Sequence, residues 1–187
     1  TTYTWNGGGL LNASGSAQMD NPTATTTYSV VISDANGCVD STTVAVTVNP
    51  LPTADAGLDQ TVCAGTTVNI FGNGGVTYTW NGGSLTNANG SSQSDVPPTT
   101  TDYELMVTDA NGCIDLDTVT INVNALPIVG AGPDVQICIN STTLLTGSGA
   151  SAYVWTPAGS LDDDSIASPT ASPLVTTTYV VIGTDIN

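Results

Sequence analysis

The chain of 187 residues carries 16 Asp and Glu side chains and no Lys, Arg or His, a formal net charge of -16. The missing cations exclude a Schiff base, a phosphate anchor and side-chain ion pairs, and the missing His removes the commonest general base and metal ligand. Nucleic-acid binding, which needs cations to displace condensed counterions, is excluded with them, and anionic membrane surfaces are equally poor partners. A hydrophobic fraction of 40% is nonetheless too high for a disordered acidic tail, so the chain folds.

The chain opens on Thr1-Thr2-Tyr3-Thr4-Trp5, a strand-like run, and Gly7-Gly8-Gly9 follows as a hairpin-like turn with no helix or Lys behind it for a phosphate cradle. Val44, Val46 and Val48 alternate with polar residues, and Leu51-Pro52 then reads as a linker. Next come Val68 with Ile70, Tyr78 with Trp80, the face Tyr103, Leu105 and Val107, and the face Val119, Ile121 and Val123, all with a period of two. Gly72-Asn73-Gly74-Gly75 and Asp109-Ala110-Asn111-Gly112 punctuate them as turns. No stretch has helix caps or a helical stripe, and no apolar run is long enough to span a bilayer.

These elements repeat. Trp5, Trp80 and Trp155 lie at intervals of 75 residues, as do Cys38 with Cys113, Cys63 with Cys138, and Leu51-Pro52 with Leu126-Pro127. The TTTY run ending at Tyr28 returns as TTDY at Tyr103 and, after one inserted residue, as TTTY at Tyr179. The expected division is a truncated unit over 1–50, a complete unit over 51–125 and a unit lacking its last strand over 126–187. The chain reads as a window on a longer polypeptide. About seven short strands in each 75-residue unit predict an all-β fold of tandem immunoglobulin-like β-sandwich modules.

The runs AGLDQTVCAGTTVNI, TYTW, TTDYELMVTDANGC and TVTINVNALP resemble, in order, the tandem immunoglobulin-like and PKD-like repeats of Bacteroidetes surface proteins. Those repeats occur in gliding-motility adhesins and in chains with a gliding-motility-associated C-terminal domain. The resemblance covers essentially the whole chain and implies export by the type IX route to an extracellular, cell-surface location. Its motifs are specific for fold and weak for function, because one module serves as a spacer in unrelated proteins.

Trp5, Trp80 and Trp155 are expected as inward core residues rather than sugar-stacking platforms. Tyr28, Tyr103 and Tyr179 follow Thr-rich turns and resemble tyrosine corners, each hydroxyl satisfying a backbone group. Four cysteines in an exported chain point to disulfides. Cys63 with Cys113 closes the complete unit and leaves Cys38 and Cys138 to partners outside the chain. Pairing Cys38 with Cys63 and Cys113 with Cys138 would instead staple neighbouring units, and free thiols are the third arrangement. With no Cys-x-x-Cys, a zinc site is not expected.

Clustered carboxylates without cations could hold Ca²⁺, with Asp109, Asp115 and Asp117 the candidate ligands; against this, Asp and Asn are what such turns demand. No other cofactor is expected. Asn12, Asn89 and Asn140 fit the N-x-Ser/Thr pattern, and Thr118 and Ser165 resemble the Bacteroidetes Asp-Ser/Thr-aliphatic O-glycosylation motif.

Residues repeated at equivalent positions look like scaffold, so no enzymatic activity is expected. The leading expectation is an adhesin stalk or filament shaft, partnered by neighbouring modules of the same chain and by other copies in a filament. The alternative is a carbohydrate- or protein-binding module, for which Phe71 is the one candidate loop aromatic.

Overall fold

The computed structural model describes residues 1–186 and contains no helix among them. In the first unit, β1 (Thr2–Gly7), β2 (Leu10–Ser14), β3 (Thr26–Ser33) and β4 (Val39–Val46) form one sheet in the order β2-β1-β3-β4. The central unit holds β5 (Gln60–Cys63), β6 (Val68–Phe71), β7 (Thr77–Gly82), β8 (Leu85–Asn89), β9 (Ser92–Asp95), β10 (Thr101–Thr108) and β11 (Ile114–Asn124). The third contributes β12 (Thr143–Leu144), β13 (Ala152–Thr156), β14 (Thr170–Ala171) and β15 (Val180–Thr184). No helix of the structure is long and apolar enough to cross a membrane.

The seven strands of the central unit make a sandwich: a five-stranded sheet in the order β5-β11-β10-β7-β8 faces the two-stranded β6-β9. Alternation explains what lies between. Val68 and Ile70 point in from β6, while Trp80, Tyr103, Leu105, Val107, Val119 and Ile121 point in from the larger sheet, and all are buried. The fold is an all-β array of immunoglobulin-like sandwich units.

One pairing fixes the direction of the chain through the central unit. Every pairing in the larger sheet is antiparallel except that of β5 with β11, where Ile121 pairs with Gln60 and Asn124 with Cys63. The segment before β5 already runs alongside β11. The Ala54 and Ala56 N–H groups donate to the Asp115 and Asp117 carboxylates at 2.9 and 2.8 Å, and the Thr120 N–H donates to Asp59 at 2.9 Å. The chain therefore comes in at the Asp115 end of the unit and leaves at the Cys63 end.

Equivalent residues differ in exposure between the first and central units. Val44 and Val46 of β4 are 51% and 40% exposed, whereas their counterparts Val119 and Ile121 are 0% exposed. β4 pairs with β3 over its whole length, as β11 does with β10, and in the central unit the β6-β9 layer covers the equivalent face.

Candidate functional site

Three kinds of site recur with the repeat: a Tyr–Asp pair, an Asp-led turn and a cysteine at each end of a unit. In the central unit the Tyr103 hydroxyl donates to Asp95 Oδ2 at 2.7 Å. The same carboxylate accepts the Ser84 N–H at 2.9 Å and the Ser84 hydroxyl at 2.6 Å, and its other oxygen also takes the Val96 N–H at 2.8 Å. Burial pushes the Asp95 carboxyl up, but the Ser84, Tyr103 and Val96 donors outweigh it and bring its pKa down to about 2. Burial and the bond to the Asp95 carboxylate both push the Tyr103 phenol well above its ordinary value.

Gly83 belongs to this arrangement. It sits at φ +55°, and a Cβ there would lie 2.6 Å from the Tyr103 hydroxyl and run into the Asp95 carboxylate. The first unit repeats the geometry, with Tyr28 donating to Asp20 at 2.7 Å and the Gly9 N–H joining at 2.9 Å. In the third, Tyr179 meets the Ser160 hydroxyl instead. The expected backbone acceptor of the tyrosine corner is thus corrected: these tyrosines bond side chains, because the carboxylate eight residues upstream reaches the hydroxyl first. The sequence signal was there, since Asp20 and Asp95 are themselves 75 apart.

The tryptophans share one partner pattern. Trp5, Trp80 and Trp155 donate their indole N–H groups to the carbonyls of Gly15, Gly90 and Ile166 at 3.0, 3.2 and 3.0 Å. Trp80 and Trp155 are buried, and Trp5 is half-buried in a unit with only one sheet.

The calcium candidates are not brought together. Asp109 Oδ1 accepts the Asn111 and Cys113 N–H groups, each at 2.8 Å, and closes its own turn as Asp34 does in the first unit. Asp115 and Asp117 are engaged by Ala54 and Ala56. Among the described residues no three His, Cys, Asp or Glu side chains converge as a metal site. The run Asp162-Asp163-Asp164 lies in a loop where Asp162 caps the Thr170 N–H at 2.7 Å and Asp163 takes the Ser165 N–H at 2.8 Å. Asn12, Asn89, Asn140, Thr118 and Ser165 are all exposed.

The disulfide expectation is corrected by the strand geometry. Cys63 pairs in register with Asn124 at the last residue of β11, while Cys113 precedes the first. β11 is 11 residues long, which separates the two cysteines by about 35 Å at ordinary strand rise. A disulfide needs Cα atoms within about 7 Å, so this pair cannot form. The alternative pairs, Cys38 with Cys63 and Cys113 with Cys138, are not formed either. All four are free thiols, Cys113 half-buried and the others exposed. With oxidised glutathione under native conditions, the expected product is the monomer carrying glutathione adducts and no internal disulfide. Intact mass before and after alkylation counts them; a species two hydrogens lighter with two thiols lost contradicts this geometry.

No family model matches the chain, and no curated protein does. Solved structures with some similarity include the ectodomain of human Desmocollin-1, at 8% identity and a TM-score of 0.31, over 86% of this chain and 42% of that one. Another is SGBP-B of the Bacteroides ovatus mixed-linkage glucan utilization locus, in complex with a mixed-linkage heptasaccharide. Its identity is 16% and its TM-score 0.21, over 99% of this chain and 54% of that one. The chain thus spans about half the length of the structures it is compared with.

Proposed function

We propose that this chain is a structural repeat of a long extracellular bacterial surface protein, a stalk or filament shaft whose modules set length and reach. The observation that carries the reading is the path of the chain through the central unit, in at the Asp115 end and out at the Cys63 end. Units joined that way extend head to tail instead of folding back. The short linkers at Leu51-Pro52 and Leu126-Pro127 support it, since proline restricts the backbone and offers no N–H for pairing. The polar clusters recur from unit to unit as scaffold, so the role is non-enzymatic. The resemblance to Bacteroidetes surface repeats supports a cell-surface location.

A second reading, a carbohydrate- or protein-binding module, draws on Phe71, which is 61% exposed at the end of β6. Immunogold electron microscopy of producer cells with an antibody to residues 51–125 separates the two. Label along thin extracellular fibres is the expected result. Label only inside the cell or in a soluble secreted fraction rejects the stalk and favours the binding module.

A further inference from the structure

We infer that two hairpin turns of this chain, Asn36-Gly37 and Asn111-Gly112, are sites of spontaneous modification, where the asparagine amide is lost through a succinimide and a carboxylate takes its place. Six Asn-Gly pairs occur in the sequence, beginning at Asn6, Asn36, Asn73, Asn81, Asn89 and Asn111. The reaction needs the glycine nitrogen to swing to about 3–3.5 Å from the asparagine Cγ, with its N–H released and the space clear. Glycine permits the swing because it carries no Cβ. The fold decides which pairs can make it.

Four of the six are held. The Asn81 side-chain carbonyl accepts the Asn87 N–H at 3.0 Å, and a Cβ on Gly82 would run into the Asp102 carbonyl. Asn6 and Gly7 repeat that arrangement with the Asn12 N–H at 2.9 Å and the Thr27 carbonyl. Asn73 is fixed through its own backbone, which exchanges two bonds with Asp55 at 2.9 and 3.2 Å, and Gly74 lies against the Thr53 carbonyl. The Asn89 and Gly90 carbonyls accept from the Gln93 and Trp80 side chains at 2.8 and 3.2 Å, and the Gly90 N–H donates to Tyr78.

The other two pairs are open. Asn36, Gly37, Asn111 and Gly112 are all exposed, and beyond the adjoining residues no atom lies within 4 Å of where a Cβ on either glycine would stand. Each glycine N–H makes one long bond, at 3.3 Å to the Asp34 carbonyl and 3.2 Å to the Asp109 carbonyl, at the weak end of the ordinary range. The turns join β3 to β4 and β10 to β11, and such tips open locally at little cost.

The steps balance without any oxidant or reductant. The Gly112 nitrogen passes its proton to buffer base and bonds to Asn111 Cγ, closing a five-membered ring. The bond from Cγ to Nδ2 breaks, and that nitrogen takes up a proton and leaves as ammonia. Water then opens the ring at either carbonyl, giving aspartate or an isoaspartyl link that runs the chain through the side chain. At Asn111 the change removes a donor, since its Nδ2 now donates to Asp109 Oδ2 at 3.2 Å. A carboxylate there faces Asp109 in a chain with no cation to offset it, which loosens the turn that leads into Cys113 and β11. The inference needs these turns alone and stands whether or not the protein is a surface stalk.

The test compares the folded and unfolded chain. The intact protein is held in mildly alkaline buffer, and in parallel in the same buffer with concentrated urea. Digestion with pepsin at acid pH stops the reaction, and peptide mass spectrometry follows the exchange of NH₂ for OH at each asparagine. In the folded chain Asn36 and Asn111 should convert at least about ten-fold faster than the other four, because local opening ranges from nearly free at exposed turns to the full stability of the fold in its ladders. In urea the six rates should draw together. A folded rate at Asn36 or Asn111 no faster than at the held four, or the same two-site preference surviving in urea, overturns the inference.

Discussion

Trp80→Ala should bring the central unit to the edge of unfolding while leaving the outer units nearly unchanged. The indole is fully buried between β6 and the larger sheet, and it packs so closely on Gly72 that a Cβ there would lie 3.1 Å from its ring. Truncating a buried Trp costs about 3–5 kcal/mol in transfer and cavity terms. A unit of this size holds only ~4–11 kcal/mol in total at typical stability per residue. Native-state hydrogen exchange should therefore show the amides of β7, β10 and β11 losing most of their protection. Trp5→Ala, at a half-buried site in a unit with one sheet, should cost much less. If the two substitutions reduce stability equally, the sandwich core assigned to Trp80 is wrong.

The second large effect belongs to the Tyr103–Asp95 pair. Tyr103→Phe removes a hydrogen bond to a charged acceptor, a class worth about 1.5–3 kcal/mol, although the Ser84 donors remain to soften the loss. It should also flatten the pH dependence. The folded Asp95 carboxyl lies at about 2 against an ordinary 3.8. Its contribution is therefore complete above pH ~4 and lost as pH falls toward ~2. Tyr103 is shifted the other way, so its contribution is complete below the ordinary phenol value near 10 and declines as pH rises beyond it. Relief of the repulsion among 16 acidic side chains opposes the acid loss, which makes the wild type minus Tyr103→Phe difference the informative quantity. Urea midpoints between pH 2 and 11 measure it. A difference constant with pH would mean that the pair is not coupled in the folded state.

The fold was legible because one residue type marks each layer. The Trp at every 75th position and the two-residue alternation of Val119 and Ile121 place the core from the sequence alone. The parallel pairing of β5 with β11 was not legible, and neither was what depends on it. A four-residue strand at Gln60–Cys63 has no turn tying it to β11, so its partner is chosen by the whole sandwich and not by local sequence. Cys63 and Cys113 look like a sensible pair by spacing, and only the direction of that strand puts them at opposite ends. Asp115 and Asp117 read from the sequence as candidate Ca²⁺ ligands. Their partners are backbone N–H groups 61 positions away, which carry no sequence signal at all.

The same parallel pairing governs how the unit answers a pull on its two ends. Tension applied at the incoming and outgoing linkers drags the Ala54–Cys63 segment along β11 in the direction of the strands themselves. The links of Asp115, Asp117 and Asp59 and the register pairs from Ile121 to Asn124 are then loaded side by side, as in shear, and must yield together. A hairpin pulled from its open end would lose its bonds one at a time. The arrangement that separates the cysteines thus makes the central unit stiffest along the line between its incoming and outgoing ends.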